Sequence, residues 1–323
     1  MRALVLAPFS PAGLRRLRCH GEVVYESWLE TRRLQEPEAL GRRLQSEGFD
    51  VLIVESDFVL AETLDLAPCL RFVGVCRGAL NHVDLDAARA RGVVVSHAPG
   101  RNAAAVAELT IGLIFALARQ TSAAGRYVRG SGWQDPTEPY IRFRGREVAG
   151  ATVGVIGLGR IGRELAYRLV ALGARVLATD PAVSGARGVP AGVRLVGLPA
   201  LLRRSAFVCL VAGGGEIVGE RELALIRRDA HLVLTGDPAT LDYEALIAAL
   251  SAGRLAGAAL DVFPGYPLPD TDPLLALDNV ILTPHLGGAT SETVARHSRM
   301  IAGDLERFLR GAPLRYPALQ ERT

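Results

Sequence analysis

Short apolar runs alternate with segments that are apolar at every third or fourth position through most of this chain. In the first hundred residues the short runs fall at 3–6, 23–25, 51–54, 72–75 and 93–96, with helical patterns between them such as 37–45 and 85–91. Runs of this length, bounded by turn residues and separated by helical periods, predict strands of a parallel sheet covered on both faces. The alternation resumes after residue 150. Strands are predicted at 153–156, 175–179, 207–211, 231–235, 257–260 and 280–282, and helices at 199–203, 221–226 and 241–250. Thr290 or Ser291 caps a last helix that runs to about Leu309. Residues 102–119 are apolar on nearly every side, so that helix must be buried in a core or against another subunit. Two stretches interrupt the pattern. Residues 131–150 are polar and broken by Pro136 and Pro139, and read as a connector; residues 264–273 form a proline-rich loop. The fold class is therefore α/β, with two parallel-sheet layers in tandem.

The second alternating half opens on Gly157-Leu158-Gly159-Arg160-Ile161-Gly162. This G-x-G-x-x-G follows a β-branched run and leads into a helix whose apolar face is Leu165, Leu169, Val170 and Leu172. A second strand then ends on Asp180, 18 residues past Gly162. Gly157 permits a tight turn, Gly159 lets backbone approach a pyrophosphate, and Gly162 lets helix and strand pack closely. The helix N-terminus offers free N–H groups and the positive end of its dipole. Asp180 would accept hydrogen bonds from the ribose hydroxyls and repel a 2′-phosphate. Pro181, Ala182 and Val183 follow it with no Arg, which favours NAD over NADP.

Composition removes several classes. A chain of 323 residues with 49% hydrophobic content and a net charge of +3 has room for about two domains and no polybasic run, so neither nucleic acid nor membrane is expected as a partner. Every one of the 37 basic residues is Arg. Schiff-base chemistry and a P-loop lysine are excluded. Cys19, Cys69, Cys76 and Cys209 form no C-x-x-C pair, and no H-E-x-x-H or G-x-S-x-G occurs, so no metal site is expected. Free cysteines and the absence of a signal-like N-terminus suggest a cytoplasmic protein.

Several stretches in order resemble the D-2-hydroxyacid dehydrogenase family, which includes phosphoglycerate, formate and D-lactate dehydrogenases. They are residues 71–84 (RFVGVCRGALNHVD), 98–108 (APGRNAAAVAE), the Gly-rich unit, 257–263 (GAALDVF) and 279–290 (NVILTPHLGGAT). The resemblance covers nearly the whole chain. It implies two doubly wound domains: a flavodoxin-like substrate domain, residues 1–101 with 290–323, into which a Rossmann NAD-binding domain, 102–289, is inserted. It also implies a cleft between them and a homodimer formed through the NAD domains. NAD contacts are implied for Gly157, Gly159, Arg160, Ile161, Gly162, Asp180, Val211, Thr235, Gly236, Asp261, His285, Gly287 and Gly288.

In this family an Arg holds the carboxylate of a small 2-hydroxy or 2-oxo acid. A His oriented by a Glu moves the hydroxyl proton while hydride passes to or from the nicotinamide. His285 stands at the position of the His, but Asp237 stands at that of the Arg and Tyr266 at that of the Glu. The loop after the 207–211 strand, Val211-Ala212-Gly213-Gly214-Gly215, looks shortened. Arg77, in the loop that offers backbone N–H groups to the substrate, is the candidate replacement cation, and Arg101 a weaker one. Three functions follow in order: an NAD-dependent 2-hydroxyacid oxidoreductase; a non-catalytic NAD(H)-binding sensor or scaffold; an oxidoreductase whose substrate lacks a carboxylate, with Asp237 binding a cation or hydroxyls.

Overall fold

A computed structural model describes residues 1–131, 133–183, 185 and 188–318. Residue 132 of the expected connector and residues 319–323 of the expected C-terminal segment lie outside them. The chain divides into two compact units, Met1–Arg101 with Thr290–Thr323, and Asn102–Ala289.

The first unit is a five-stranded, all-parallel sheet of β1 (Arg2–Val5), β2 (Glu22–Tyr25), β3 (Val51–Val54), β4 (Phe72–Val75) and β5 (Val94–His97). Their spatial order is β2-β1-β3-β4-β5, the doubly wound order of flavodoxin-like sheets. Strands β3 and β4 are buried at every position, which is why they read as continuous apolar runs rather than alternating ones. The helix Ser291–Leu309 returns to this unit and covers one face of the sheet with Ile301, Ala302 and Leu305. The Thr290 hydroxyl caps it by accepting from Thr293 N–H at 3.1 Å. Its buried Asp304 accepts from the Ser96 hydroxyl of β5 at 2.8 Å and from the N–H groups of Arg315 and Tyr316, tying the C-terminal segment to the sheet.

The second unit is a seven-stranded parallel sheet of β6 (Thr152–Ile156), β7 (Arg175–Thr179), β8 (Val193–Leu195), β9 (Phe207–Leu210), β10 (His231–Leu234), β11 (Gly257–Leu260) and β12 (Val280–Leu282). The order β12-β11-β10-β9-β6-β7-β8 reverses between β6 and β9. Such a reversal opens a crevice at the carboxyl ends of the strands, where doubly wound sheets bind dinucleotides. The helix Ala103–Ala118 packs into this unit's own core through Leu113, Ile114 and Leu117. Phe115 on its outer side is 39% exposed.

Three features differ from the expectation. The edge strand β8 was not predicted; it is three residues long, bonds only to β7, and carries too short a pattern to register. The stretch 131–150 is not wholly irregular. Glu138–Arg142 is helical, because a proline in the first turn lacks only an N–H that would have no partner there. A helix at Thr121–Ser131 precedes it. No single helix among the described residues is long and apolar enough to cross a membrane.

Candidate active site

The crevice is built from five loops of the second unit. The first follows β6. Gly157 has φ +97°, and a Cβ there would lie 2.8 Å from the backbone of Ala212 in the loop after β9. A Cβ on Gly162 would lie 1.9 Å from the Gly157 carbonyl. These two positions admit no side chain, whereas Gly159 faces open space. Gly159 caps the helix Arg160–Ala171, whose first N–H groups have no intrahelical acceptor. A tight turn, an unfilled approach to the backbone and a helix N-terminus together fit a dinucleotide pyrophosphate.

Asp180 holds this turn from the end of β7. Its Oδ2 accepts from Leu158 N–H at 2.7 Å and its Oδ1 from Ala182 N–H at 2.9 Å. Each carboxylate oxygen has a second lone pair, so the residue still has acceptors to offer a ribose.

The loops after β9, β10 and β11 and the loop carrying His285 enclose a cavity of about 270 Å³. Val211, Thr235, Gly236, Asp237, Asp261, His285, Gly287, Gly288 and Ile161 line it, together with Asn102, Val106, Ala212, Gly213 and Val262. A larger cavity of about 470 Å³, with His231 and Val280 in its wall, opens at the opposite ends of the strands, away from the topological crevice.

Asp261 is buried and organises the His285 loop. Its Oδ1 accepts from the Thr283 hydroxyl at 2.6 Å and from Leu286 N–H at 2.7 Å, and its Oδ2 from Gly287 N–H at 2.8 Å. A Cβ on Gly287 would sit 3.0 Å from that Oδ2, so the clamp requires the glycine. His285 itself takes a left-handed φ of +56°. Its N–H donates to the Thr283 carbonyl at 2.9 Å. A backbone conformation disfavoured for a non-glycine residue is thus held from both sides by Asp261 and Thr283.

Tyr266 stacks on the His285 ring with centroids 5.3 Å apart and planes at 30°. Its hydroxyl accepts from Phe263 N–H at 3.1 Å. Burial raises the Tyr266 pKa, the Phe263 N–H opposes that shift, and the Asp261 charge adds to it, so the phenol is neutral at pH 7. Among the described residues of this unit nothing hydrogen-bonds the His285 imidazole.

Asp237 is an exposed N-cap. Its Oδ1 accepts from Ala239 N–H at 3.0 Å, at the start of the turn Pro238–Thr240, and its own N–H donates to the Ala212 carbonyl. No cation of this unit, among its described residues, pairs with it. Thr235 is also constrained. Thr110 donates its hydroxyl to the Val106 carbonyl at 2.7 Å, so in the 2.7 Å Thr110–Thr235 contact Thr235 must be the donor.

The two arginines considered as replacement cations belong to the first unit. Arg77 is half-buried in the loop after β4, its carbonyl accepting from Ala98 N–H at 2.8 Å. Arg101 is already committed. It ion-pairs with Glu55 and donates to His297 Nδ1 at 2.7 Å. His297 Nε2 then donates to the Pro8 carbonyl at 2.7 Å, which fixes the neutral tautomer. Arg101 is therefore no free anion receptor. Sequence reasoning did not find Glu55, His297 or the clamp made by Asp261. Asn102 and Val106 lie within the 98–108 stretch, but nothing in their residue types points to a cavity wall.

Residues 111–287 match the family described as "D-isomer specific 2-hydroxyacid dehydrogenase, NAD binding domain". The chain is 35% identical over 307 residues to a glyoxylate reductase of Thermofilum pendens, covering 93% of this chain and 88% of that one. It is 34% identical over 320 residues to the D-3-phosphoglycerate dehydrogenase of Archaeoglobus fulgidus, covering 98% of this chain and 58% of that longer one. The crystal structure of TT0316 protein from Thermus thermophilus is 32% identical and superposes with a TM-score of 0.83, over 99% of this chain and all of that one. With two doubly wound parallel sheets, one an NAD-binding Rossmann-like domain, this chain belongs to the D-isomer-specific 2-hydroxyacid dehydrogenase family of NAD(P)-dependent oxidoreductase folds.

Proposed function

We propose that this protein is an NAD-dependent oxidoreductase that acts on a small 2-hydroxy or 2-oxo acid. The observation that carries the reading is the convergence of His285, Asp261 and the Gly287-Gly288 backbone on one cavity of the Rossmann domain. A nicotinamide dinucleotide, when bound, would supply or accept the hydride; Gly157, Gly159, Arg160, Ile161 and Gly162 would hold its pyrophosphate, and Asp180 its adenosine ribose. Asp180 selects NAD, because a 2′-phosphate would meet a carboxylate already anchored against the turn. His285 moves the proton at the substrate oxygen, an imidazole having one ring nitrogen that donates and one that accepts. Asp261 is a positioning residue that keeps the imidazole's loop in place. Arg77 is the remaining candidate to bind a substrate carboxylate. The protein works in the cytoplasm as a homodimer.

Steady-state oxidation of NADH against a panel of 2-oxo acids tests this reading, with His285→Ala as control. Turnover lost about 100-fold in that variant supports it; strong turnover that survives loss of His285 defeats it.

A second reading has a specific observation in its favour. Tyr266 stacks on His285 instead of accepting its proton, and Asp237 faces the cavity where the family's cation belongs. A non-catalytic NAD(H)-binding protein would show tight cofactor binding and no turnover with any acid of the panel.

A further inference from the structure

Among the described residues, Asp237, Asp261 and His285 are the titratable side chains lining the 270 Å³ cavity, and no arginine lines it. The two carboxylates differ in what they have left to offer. Asp261 is 1% exposed and accepts three hydrogen bonds from its own loop. Asp237 is exposed, uses only Oδ1 for the Ala239 N–H, and leaves Oδ2 without a partner among the described residues of this domain. Its backbone is anchored as well. Its N–H donates to Ala212, and its carbonyl accepts from the Thr240 hydroxyl at 2.5 Å. The carboxylate is thus a fixed, uncompensated negative charge in the wall that also holds His285.

We propose that Asp237 is a specificity-determining residue and that the substrate carries a cationic group, an ammonium or guanidinium, which its free Oδ2 receives. This rests on the oxidoreductase reading and adds the charge of the substrate to it. A charge-assisted hydrogen bond from such a group is the interaction a lone carboxylate oxygen makes best. A second anionic arm on the substrate would be repelled by the same oxygen. Capping alone does not require a charge at this position. Asn caps a helical turn as well as Asp does, so Asp237→Asn keeps the Ala239 bond and removes only the ionic term.

The test uses three 2-oxo acids whose far ends are cationic, neutral and anionic: 2-oxo-5-guanidinopentanoate, 2-oxohexanoate and 2-oxoglutarate. The full chain is assayed with NADH, and calorimetry follows binding of each acid to the NADH-loaded protein. The wild type is expected to prefer the guanidino acid to the neutral one by about fivefold, and the neutral one to the dianion by a similar factor, the scale of one partly solvated ion pair. Asp237→Asn brings the three within about twofold. Equal use of the guanidino and neutral acids by the wild type, or a preference that survives Asp237→Asn, overturns the proposal. If none of the acids turns over but calorimetry returns the same order, the oxidoreductase reading fails and the cation site stands. If none binds, the cation site fails too.

Discussion

Tyr266 stacks on the imidazole of His285, 5.3 Å between ring centroids and 30° between planes, with its hydroxyl turned to the Phe263 N–H. A carboxylate in its place would accept a hydrogen bond from the ring and fix its tautomer; a neutral phenol stacked on the ring does neither. Replacing Tyr266 by Glu should therefore raise turnover of 2-oxo acids, on the order of tenfold. Tyr266→Phe keeps the ring and should leave turnover within about twofold of the parent. Turnover unchanged in Tyr266→Glu would mean that the orientation of His285 does not limit the reaction.

Asp261 accepts three hydrogen bonds in a buried position, two on Oδ1 and one on Oδ2. Asn offers one acceptor oxygen, and its NH2 would confront at least one of those donors. Asp261→Asn should cost about 2 kcal/mol of stability, seen as a Tm several degrees lower. NADH affinity should fall in the same variant, because the loop carrying Gly287 and Gly288 loses its anchor. An unchanged Tm would show that the loop is held elsewhere.

Asp180 is expected to set the cofactor preference. Calorimetry with NAD and NADP should show at least tenfold tighter NAD binding in the wild type. Asp180→Ala should shrink that ratio, and should also weaken both ligands somewhat because Leu158 N–H loses its acceptor. Equal or tighter NADP binding by the wild type would remove Asp180 from this role.

His297 is fully buried between Arg101 and the Pro8 carbonyl. Burial, opposed by the Pro8 hydrogen bond and reinforced by the Arg101 charge, pushes its pKa down to about 4. An unfolded imidazole titrates near 6.5. Above pH 6.5 both states are neutral and the full stability is present. As pH falls from 6.5 toward 4 the unfolded state takes up a proton that the folded state refuses, and stability drains by up to about 3 kcal/mol. Denaturant unfolding at pH 7 and pH 5 should show this loss, and His297→Gln should reduce its slope. An equal slope in that variant would place the titration in other groups, of which buried His82 and half-buried His231, with pKa values likewise near 4, are the first to try.

A homodimer is expected. The helix Ala103–Ala118 buries most of its apolar side chains within its own domain, and large apolar groups stand exposed in the stretch that follows it. There Val128, Trp133, Tyr140 and Ile141 are 54–77% exposed, a density of large apolar groups that a monomer rarely leaves in water. Sedimentation at micromolar concentration should give twice the chain mass. Tyr140→Ser with Ile141→Ser should shift the population toward monomer, whereas a wild-type monomer would end the argument.

What the sequence determined by itself is what short-range chemistry decides. Apolar runs in 51–54 and 72–75 became buried parallel strands because both faces of such a sheet are covered. The glycines at 157 and 162 were legible because a turn that admits no Cβ leaves its mark in residue type. Asp180 was legible as a strand end at a set distance from them. The positions of His285, Asp237 and Tyr266 could be read from their neighbours in the chain, but not their partners. Tertiary structure decided that Tyr266 stacks on the imidazole instead of hydrogen-bonding to it. It also spent Arg101 on Glu55 and His297, and made Asp261 the clamp of a loop more than twenty residues away. Each of those outcomes depends on which groups compete for a donor or acceptor once distant segments are brought within about 3 Å. Residue type limits that competition, and only packing resolves it.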